Sequence, residues 1–313
     1  MRLWILCLVV ACSAEKPPTS ENPNEPAKTT SSELSGEPSG VEIVSAGDPP
    51  RHTLRWQFRE GPQGKISMVI DVQSDMTIDG EAQQKTRTPA IYAVLDLSVA
   101  ETSANGSARV VFEIEQAKAD RSGTVLSLDA LGDIDRALTS LTGLRGSFRC
   151  TSRGLVDQLV AEAPEGAPPI AEQTLENIRQ SIPQMITPLP AGEVGHGARW
   201  NATGRYPQRG MMLQERATYQ VQQLEPPFVS LNSTIEQTAE PQTLRGPKGQ
   251  PGDLESLQTR STGSNLFDLS NVARVKTSRR TSMTMTTSGP GVSGVRHQVA
   301  ISVDFEVNVG GPL

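Results

Sequence analysis

Histidine and cysteine offer the widest range of catalytic and metal-binding chemistry, and the chain has three of each. The histidines are His52, His196 and His297, and none stands at metal-ligand spacing from another histidine or a cysteine. His196 lies between two glycines, where an exposed imidazole could act as a general base. A solvated loop histidine fits that pattern better, so the sequence predicts no metal site and no catalytic residue.

The cysteines divide by position, with Cys7 and Cys12 close together and Cys150 alone in the middle of the chain. The residues around Cys150 are typical of a strand, which predicts a buried structural thiol rather than a nucleophile. Neither a Gly-x-Ser-x-Gly turn between strand and helix nor a phosphate-binding loop occurs. We therefore expect a protein that is not an enzyme and needs no cofactor. The least favoured alternative is an envelope hydrolase that uses His196 or His297.

The first twelve residues have the pattern of an export signal. Arg2 precedes nine apolar or small residues, Leu3 to Ala11, whereas a membrane-spanning helix needs about 20. The sequence Val9-Val10-Ala11-Cys12 resembles the lipobox of bacterial lipoproteins. This resemblance implies that residues 1–11 are removed as a signal peptide and that Cys12 is lipidated, so that the membrane is a partner through the N-terminal lipid.

The resemblance also implies a location in the cell envelope. Neither Ser13 nor Ala14 is the aspartate that retains such lipoproteins in the inner membrane. We therefore expect anchoring in the outer membrane, facing the periplasm or the cell surface. The formal net charge of −6 disfavours nucleic acid as a partner.

Residues 12–40 form a separate segment, rich in Pro, Ser, Thr and Glu, with Leu34 as its one large apolar residue. Such a composition buries too little apolar surface to offset the entropy of ordering. The lipidated Cys12 and this segment are therefore predicted to form a disordered stalk with a reach of some tens of Å.

Residues 41–313 are predicted to form an antiparallel β domain. Five runs alternate large apolar residues with small or polar ones, which is typical of strands with one buried face. Asn105-Gly106 separates two of the runs and is a hairpin signal. The runs are Leu54–Phe58, Ile66–Val72, Tyr92–Val99, Val110–Ile114 and Val299–Val307.

Two stretches follow the helical period instead. Leu131, Ile134, Leu138 and Leu141 recur at intervals of three and four, and Gly143 follows as a stop signal. A second apolar face runs from Ile170 through Ile178 and Ile182 to Ile186. The predicted fold is therefore mainly β (α+β), with large curved antiparallel sheets and two amphipathic helices packed on one side.

Short matches recur in the same order in the two halves of the domain. Arg55-Trp56 matches Arg199-Trp200, and Ile114-Glu115-Gln116 matches Ile235-Glu236-Gln237. A further match pairs Gly146-Ser147 with Gly263-Ser264. These matches suggest two similar β units, at 54–160 and 198–307. The alternative is that unrelated strands reuse similar residues.

The chain also resembles an uncharacterised family of bacterial lipoproteins, classed as a domain of unknown function. The likeness runs from about Leu54 to Val307 and is carried by Leu54–Phe58, Leu141–Phe148 and Pro188–Trp200. These motifs are turns and strand ends and carry no chemistry. The predicted architecture is also similar, more distantly, to the lipoprotein-carrier and lipid-binding half-barrels of cell envelopes.

These patterns favour a non-enzymatic envelope lipoprotein that binds an apolar ligand, such as a lipid, or an envelope protein. The hint of a ligand is the alternating run from Thr281 to Thr287, where Met283 and Met285 share one face. With Ile178 and Ile182, they are the candidate lining of an apolar cavity. A structural or adhesive module without a ligand is the alternative.

The lipobox gives a first prediction. Replacing Cys12 with Ser should abolish incorporation of radiolabelled palmitate, because the acylated thiol is lost. Cys7→Ser is the matched control and should leave labelling intact, since Cys7 departs with the signal. Labelled Cys12→Ser protein would refute the assignment.

Overall fold

The computed structural model describes residues 40–78, 81–82, 86–87, 89–120, 128–162, 186–208, 211–245, 251–288 and 297–309. Within these residues the chain is mainly β, and its principal sheet curls into a half-barrel. The predicted signal peptide, Cys12 and the predicted stalk up to residue 39 lie outside them.

The described residues form seventeen strands and one helix. In chain order they are β1 (Val41–Ser45), β2 (Asp48–His52), β3 (Gly61–Ile78), β4 (Glu81–Ala82), β5 (Thr86–Arg87), β6 (Ala90–Thr102), β7 (Ala108–Asp120), α1 (Leu128–Thr139), β8 (Arg145–Cys150), β9 (Val156–Glu162), β10 (Val194–His196), β11 (Arg199–Gln208), β12 (Met211–Glu225), β13 (Phe228–Ala239), β14 (Gln242–Arg245), β15 (Pro251–Asp268), β16 (Asn271–Ser288) and β17 (His297–Val309).

The principal sheet contains two antiparallel meanders joined side by side. Strands β3, β6, β7, β8 and β9 form one, which we call the N-terminal unit. Strands β11, β12, β13, β15 and β16 form the other, the C-terminal unit. Strand β17 lies between β16 and β3 and so connects the units within the sheet. The prediction of a curved antiparallel sheet is confirmed.

Period-two alternation determines which side chains point inward. On β7, Ala108, Val110, Phe112 and Ile114 are buried. We call the sheet face that carries these residues the inner face, and the opposite one the outer face. The predicted hairpin between β6 and β7 is present, with Gly106 at φ +76° and the Gly106 N–H donating to Ser103 O at 2.8 Å.

The first predicted helix is α1, which contacts β7. Its residues Ile134 and Leu138 and the following Leu141 are buried against the sheet, and Gly143 ends the turn at φ +84°. The second predicted helix finds no support, since α1 is the one helix among the described residues. Most of that prediction, including Ile178 and Ile182, falls on residues 163–185, outside the described ones.

One core serves both units, and we call it the main core. Its largest side chains are contributed by strands and loops from residue 54 to residue 267, because the curl of the sheet brings distant strands to the same interior. They include Leu54, Leu144, Leu189, Trp200, Leu231 and Phe267.

Residues matched between the two halves are similarly buried or lie on corresponding strands, although Trp56 precedes β3 whereas Trp200 lies on β11. Trp56 and Trp200 are both buried, as are Ile114 and Ile235. Gly146 lies on β8 and Gly263 on β15, the fourth strand of each meander. The duplication itself, over 54–160 and 198–307, stays a prediction.

Both glycines are sterically required. A Cβ added at Gly146 would lie 2.4 Å from Phe112 Cζ and 2.8 Å from Val160 O. One added at Gly263 would lie 2.4 Å from Ser278 O on the neighbouring strand. Glycine within a strand marks such a close approach.

A second prediction tests this packing. Gly146→Ala should lower the free energy of unfolding by about 1–3 kcal/mol, because the added methyl overpacks the core. Gly204→Ala on β11 is the matched control, since a Cβ there meets nothing within 4 Å. Denaturant unfolding of both variants compares them. Equal stability of the two would show that the contact at Gly146 is not limiting.

Candidate functional site

The inner face of the N-terminal unit is apolar throughout its centre. Cross-strand neighbours on β6, β7 and β8 form rows such as Leu97, Phe112 and Gly146. The end of the Phe112 ring abuts Gly146, so the ring fills the space that the glycine leaves. Helix α1 packs beside this face on β7. This unit therefore has a filled core.

The same part of the C-terminal unit is polar. The row through Gly263 contains Tyr219 on β12, Ser233 on β13 and Arg279 on β16. Ser233 faces Gly263 as Phe112 faces Gly146 in the other unit. The small hydroxymethyl side chain of serine thus stands at the position where the other unit has the benzyl side chain of phenylalanine.

Small polar side chains surround Gly263, and we call them the inner polar patch. Ser261 Oγ and Thr281 Oγ1 are hydrogen-bonded at 2.8 Å. Asn265 Nδ2 donates to Ser233 Oγ at 3.4 Å, and Ser233 Oγ donates to Gly263 O at 3.4 Å. The inner polar patch consists of Ser233, Ser261, Asn265, Arg279 and Thr281.

The serine and asparagine side chains of the patch are well buried. Ser233, Ser261 and Asn265 are 5%, 7% and 5% exposed. Buried hydroxyl and amide groups are costly unless they find partners. Ser233, Ser261 and Asn265 find such partners in the hydrogen bonds just described.

Tyr219 borders the patch on β12. Its ring stacks on Trp200 with centroids 5.6 Å apart, and Trp200 Nε1 donates to Pro188 O at 2.9 Å. Burial raises the pKa of the Tyr219 phenol; the nearby Arg279 lowers it and Glu215 raises it. The charges of Arg279 and Glu215 therefore both act electrostatically on the Tyr219 hydroxyl.

An apolar cluster lies farther along the same face, and we call it the methionine patch. Its buried members are Leu213, Ala239, Leu254 and Leu257, which are separate from the main core. Packed on them and partly exposed are Met211, Met283 and Met285.

The methionine patch is close to the polar one. Met285 lies opposite Leu257, and Met283 lies opposite Thr259. Met283 is four residues from Arg279 on the same strand face, which corresponds to about 13 Å. The inner face therefore changes from cationic and polar to apolar over a short distance.

The structure places part of the sequence-predicted cavity lining on this face. Met283 and Met285 lie there together, as expected from their spacing, whereas Ile178 and Ile182 lie outside the described residues. The sequence analysis did not single out Ser233, Ser261 and Asn265, the polar residues around Gly263. The available signal was the alternation through Arg279 to Met285, which assigns Arg279 and the two methionines to one face.

The histidines do not join this site. His52 lies on β2 and His196 on β10, which pair in a small separate ribbon. His196 faces Asp48 in that ladder. His297 begins β17, opposite Ile78. Within the described ranges, no cluster of three or more His, Cys, Asp or Glu side chains is placed to hold a metal ion.

Cys150 is buried in the main core, as predicted. Burial raises the pKa of its thiol, and the negative charge of Asp157 raises it further. The thiolate, which is the nucleophilic form, is therefore disfavoured.

No protein-family model matches this chain, and no curated protein matches it. Among the described residues, no helix combines the length and apolar character needed to cross a membrane.

Tyr219 gives a third prediction. Its folded-state pKa lies above the ordinary value of about 10, so its contribution to stability is complete below about pH 10 and is lost as the pH rises toward the folded-state value. Tyr219→Phe cannot ionise and should therefore lose less unfolding free energy between about pH 9 and pH 11 than the parent protein.

Denaturant unfolding across this pH range measures the effect. Tyr92→Phe, which removes the same hydroxyl at an exposed position on β6, is the matched control. An unaltered slope in Tyr219→Phe would mean that its phenol ionises as readily in the folded as in the unfolded chain.

Proposed function

We propose that the protein is a lipid-anchored protein of the bacterial cell envelope that binds an apolar ligand on the inner face of its C-terminal unit and catalyses no reaction. The observation that carries this proposal is the methionine patch. It is a second apolar cluster, separate from the main core, on the inner face of a curled sheet.

The side chains of the methionine patch suit a ligand of variable shape. Thioether side chains are flexible and polarisable, and they adapt to different apolar surfaces. Met211, Met283 and Met285 are partly exposed while the leucines beneath them are buried. An apolar ligand lying on the three methionines would remove this remaining surface from water, at a gain of about 25 cal/mol per Å².

The proposed location rests on the N-terminal sequence. The lipobox resemblance at Cys12 supports acylation, and several acyl chains anchor a protein firmly where a single chain does not. Residues 13–40 separate this anchor from the first described strand. The methionine patch would then work within some tens of Å of the membrane surface.

Native mass spectrometry of the full chain, purified from a bacterial envelope in mild detergent, tests this function. A lipid or other apolar molecule bound at a stoichiometric level is the expected result, and organic extraction would identify it. Protein that remains free of such a molecule, and takes none up when envelope lipids are added, would favour a structural or adhesive module instead.

Paired substitutions localise the binding. Met283→Gln combined with Met285→Gln should reduce the bound fraction several-fold, because two apolar contacts are replaced by polar amides. Met212→Gln is the matched control, since Met212 is 47% exposed and alternates to the outer face of β12. Equal loss in the control would place the ligand elsewhere.

A further inference from the structure

Two arginine side chains come together beside the turn between β8 and β9. Arg153 lies in this turn, and Arg55 lies on the segment before β3. A backbone hydrogen bond holds their neighbours together, since the Trp56 N–H donates to Ser152 O at 2.8 Å. Arg55 and Arg153 therefore flank the same backbone contact, and we call them the arginine pair.

Both guanidinium groups bind the same short stretch of backbone. Arg153 Nε donates to Leu189 O at 3.1 Å. Arg55 Nη1 donates to Pro190 O at 2.9 Å, and Arg55 Nη2 donates to Ala191 O at 2.8 Å. Three consecutive carbonyl groups thus fix the positions of the two cations, but these neutral groups do not cancel the charge.

The proximity of the two cations has an electrostatic cost. Burial lowers the pKa of the Arg55 guanidinium, and the positive charge of Arg153 lowers it further. Arginine stays protonated in proteins even so, and the two like charges repel each other. An anion that binds between the two guanidinium groups would relieve this repulsion.

Acidic side chains accompany other arginines of the sheet but not this pair. Arg145 and Arg260 each form an ion pair with a glutamate on a neighbouring strand. Within the described ranges, the hydrogen-bond acceptors of Arg55 and Arg153 are backbone carbonyl oxygens and no carboxylate is among them. The arginine pair is thus a cationic site that has no acidic partner in the described part of the chain.

The arginine pair also keeps hydrogen-bond donors that an anion can use. In the part of the chain that the structure describes, Nη1 and Nη2 of Arg153 and Nε of Arg55 donate to no acceptor. Both side chains are partly exposed, so a solute can reach them directly from solvent. The planar fork of N–H donors on a guanidinium matches the oxygens of a phosphate or carboxylate group.

We propose that the arginine pair binds a phosphate group, as the free ion or as part of a phosphate ester, with its oxygens between the two guanidinium groups. A phosphate monoester carries a charge of about −1.5 to −2 at pH 7 and three acceptor oxygens, so it can bind both side chains at once. This site goes beyond the proposed function and is independent of it, since no residue of the methionine patch takes part.

Calorimetric titration tests the site. The full chain, in mild non-ionic detergent and phosphate-free buffer, is titrated with inorganic phosphate and separately with glycerol 3-phosphate, a soluble phosphate ester. We expect saturable binding of a single phosphate group per chain. The thermal unfolding midpoint should rise with phosphate concentration, because the ligand binds the folded state. Sodium chloride at equal ionic strength is the reference titrant.

Substitutions localise the bound phosphate. Arg153→Gln should weaken binding about tenfold or more, because it removes a charge and the unused Nη donors. Arg153→Lys keeps the charge and should retain part of the affinity. Arg145→Gln is the matched control, since it removes an equal charge on β8 from a guanidinium that already pairs with Glu113 at 2.9 Å. Circular dichroism monitors the folding of each variant.

The two titrants distinguish the sources of the phosphate. Tighter binding of glycerol 3-phosphate would support the site and identify phosphate esters, such as lipid headgroups, as its ligands. Equal or tighter binding of inorganic phosphate would support the site and identify the free ion. Saturable binding of neither would overturn the proposal, as would binding that Arg153→Gln leaves unchanged or that Arg145→Gln weakens equally. None of these results bears on the methionine patch, which is tested with apolar ligands.

Discussion

Two adjacent backbone hydrogen bonds connect the turns of the two units. The N–H of Trp56 donates to Ser152 O at 2.8 Å, and the N–H of Gln57 donates to Leu269 O at 2.7 Å. Ser152 lies in the turn between β8 and β9, and Leu269 in the turn between β15 and β16. The Trp56 ring stacks on Phe267 at 5.2 Å. One short segment, Trp56-Gln57, therefore joins the turns between the fourth and fifth strands of both meanders to a common core, and we expect the placement of the two units on that core to depend on this link.

Within this framework the two units use similar strands for different purposes. In the N-terminal unit, large apolar side chains fill the inner face beside α1. In the C-terminal unit, the central rows carry hydroxyls, an amide and Arg279, with the methionine patch at one end. Stability alone does not favour this exchange, since buried polar groups contribute little net free energy even when hydrogen-bonded.

The sequence could predict the strands and α1 because these depend on local spacing. Alternation within β7 and the period of Ile134 and Leu138 are visible without any knowledge of neighbouring strands. The site depends instead on register between strands. Ser233 pairs with Gly263, which comes 30 residues later in the chain, and neither segment alone indicates that pairing. Alternation assigns Arg279 to the face of Met283 and Met285 and Arg280 to the opposite face, but pairing with β15 determines which residues Arg279 meets there.

The placement of the methionine patch also follows from register rather than composition. Three of the chain's eight methionines occupy it, and they come from β12 and β16, which have two other strands between them in the sheet order. A core built for stability would favour leucine and isoleucine, whose shapes specify one packing. Flexible thioethers above buried leucines instead allow the surface to adapt to an incoming apolar group. The buried leucines hold the strands in place, so that adaptation at the surface need not disturb the sheet beneath it.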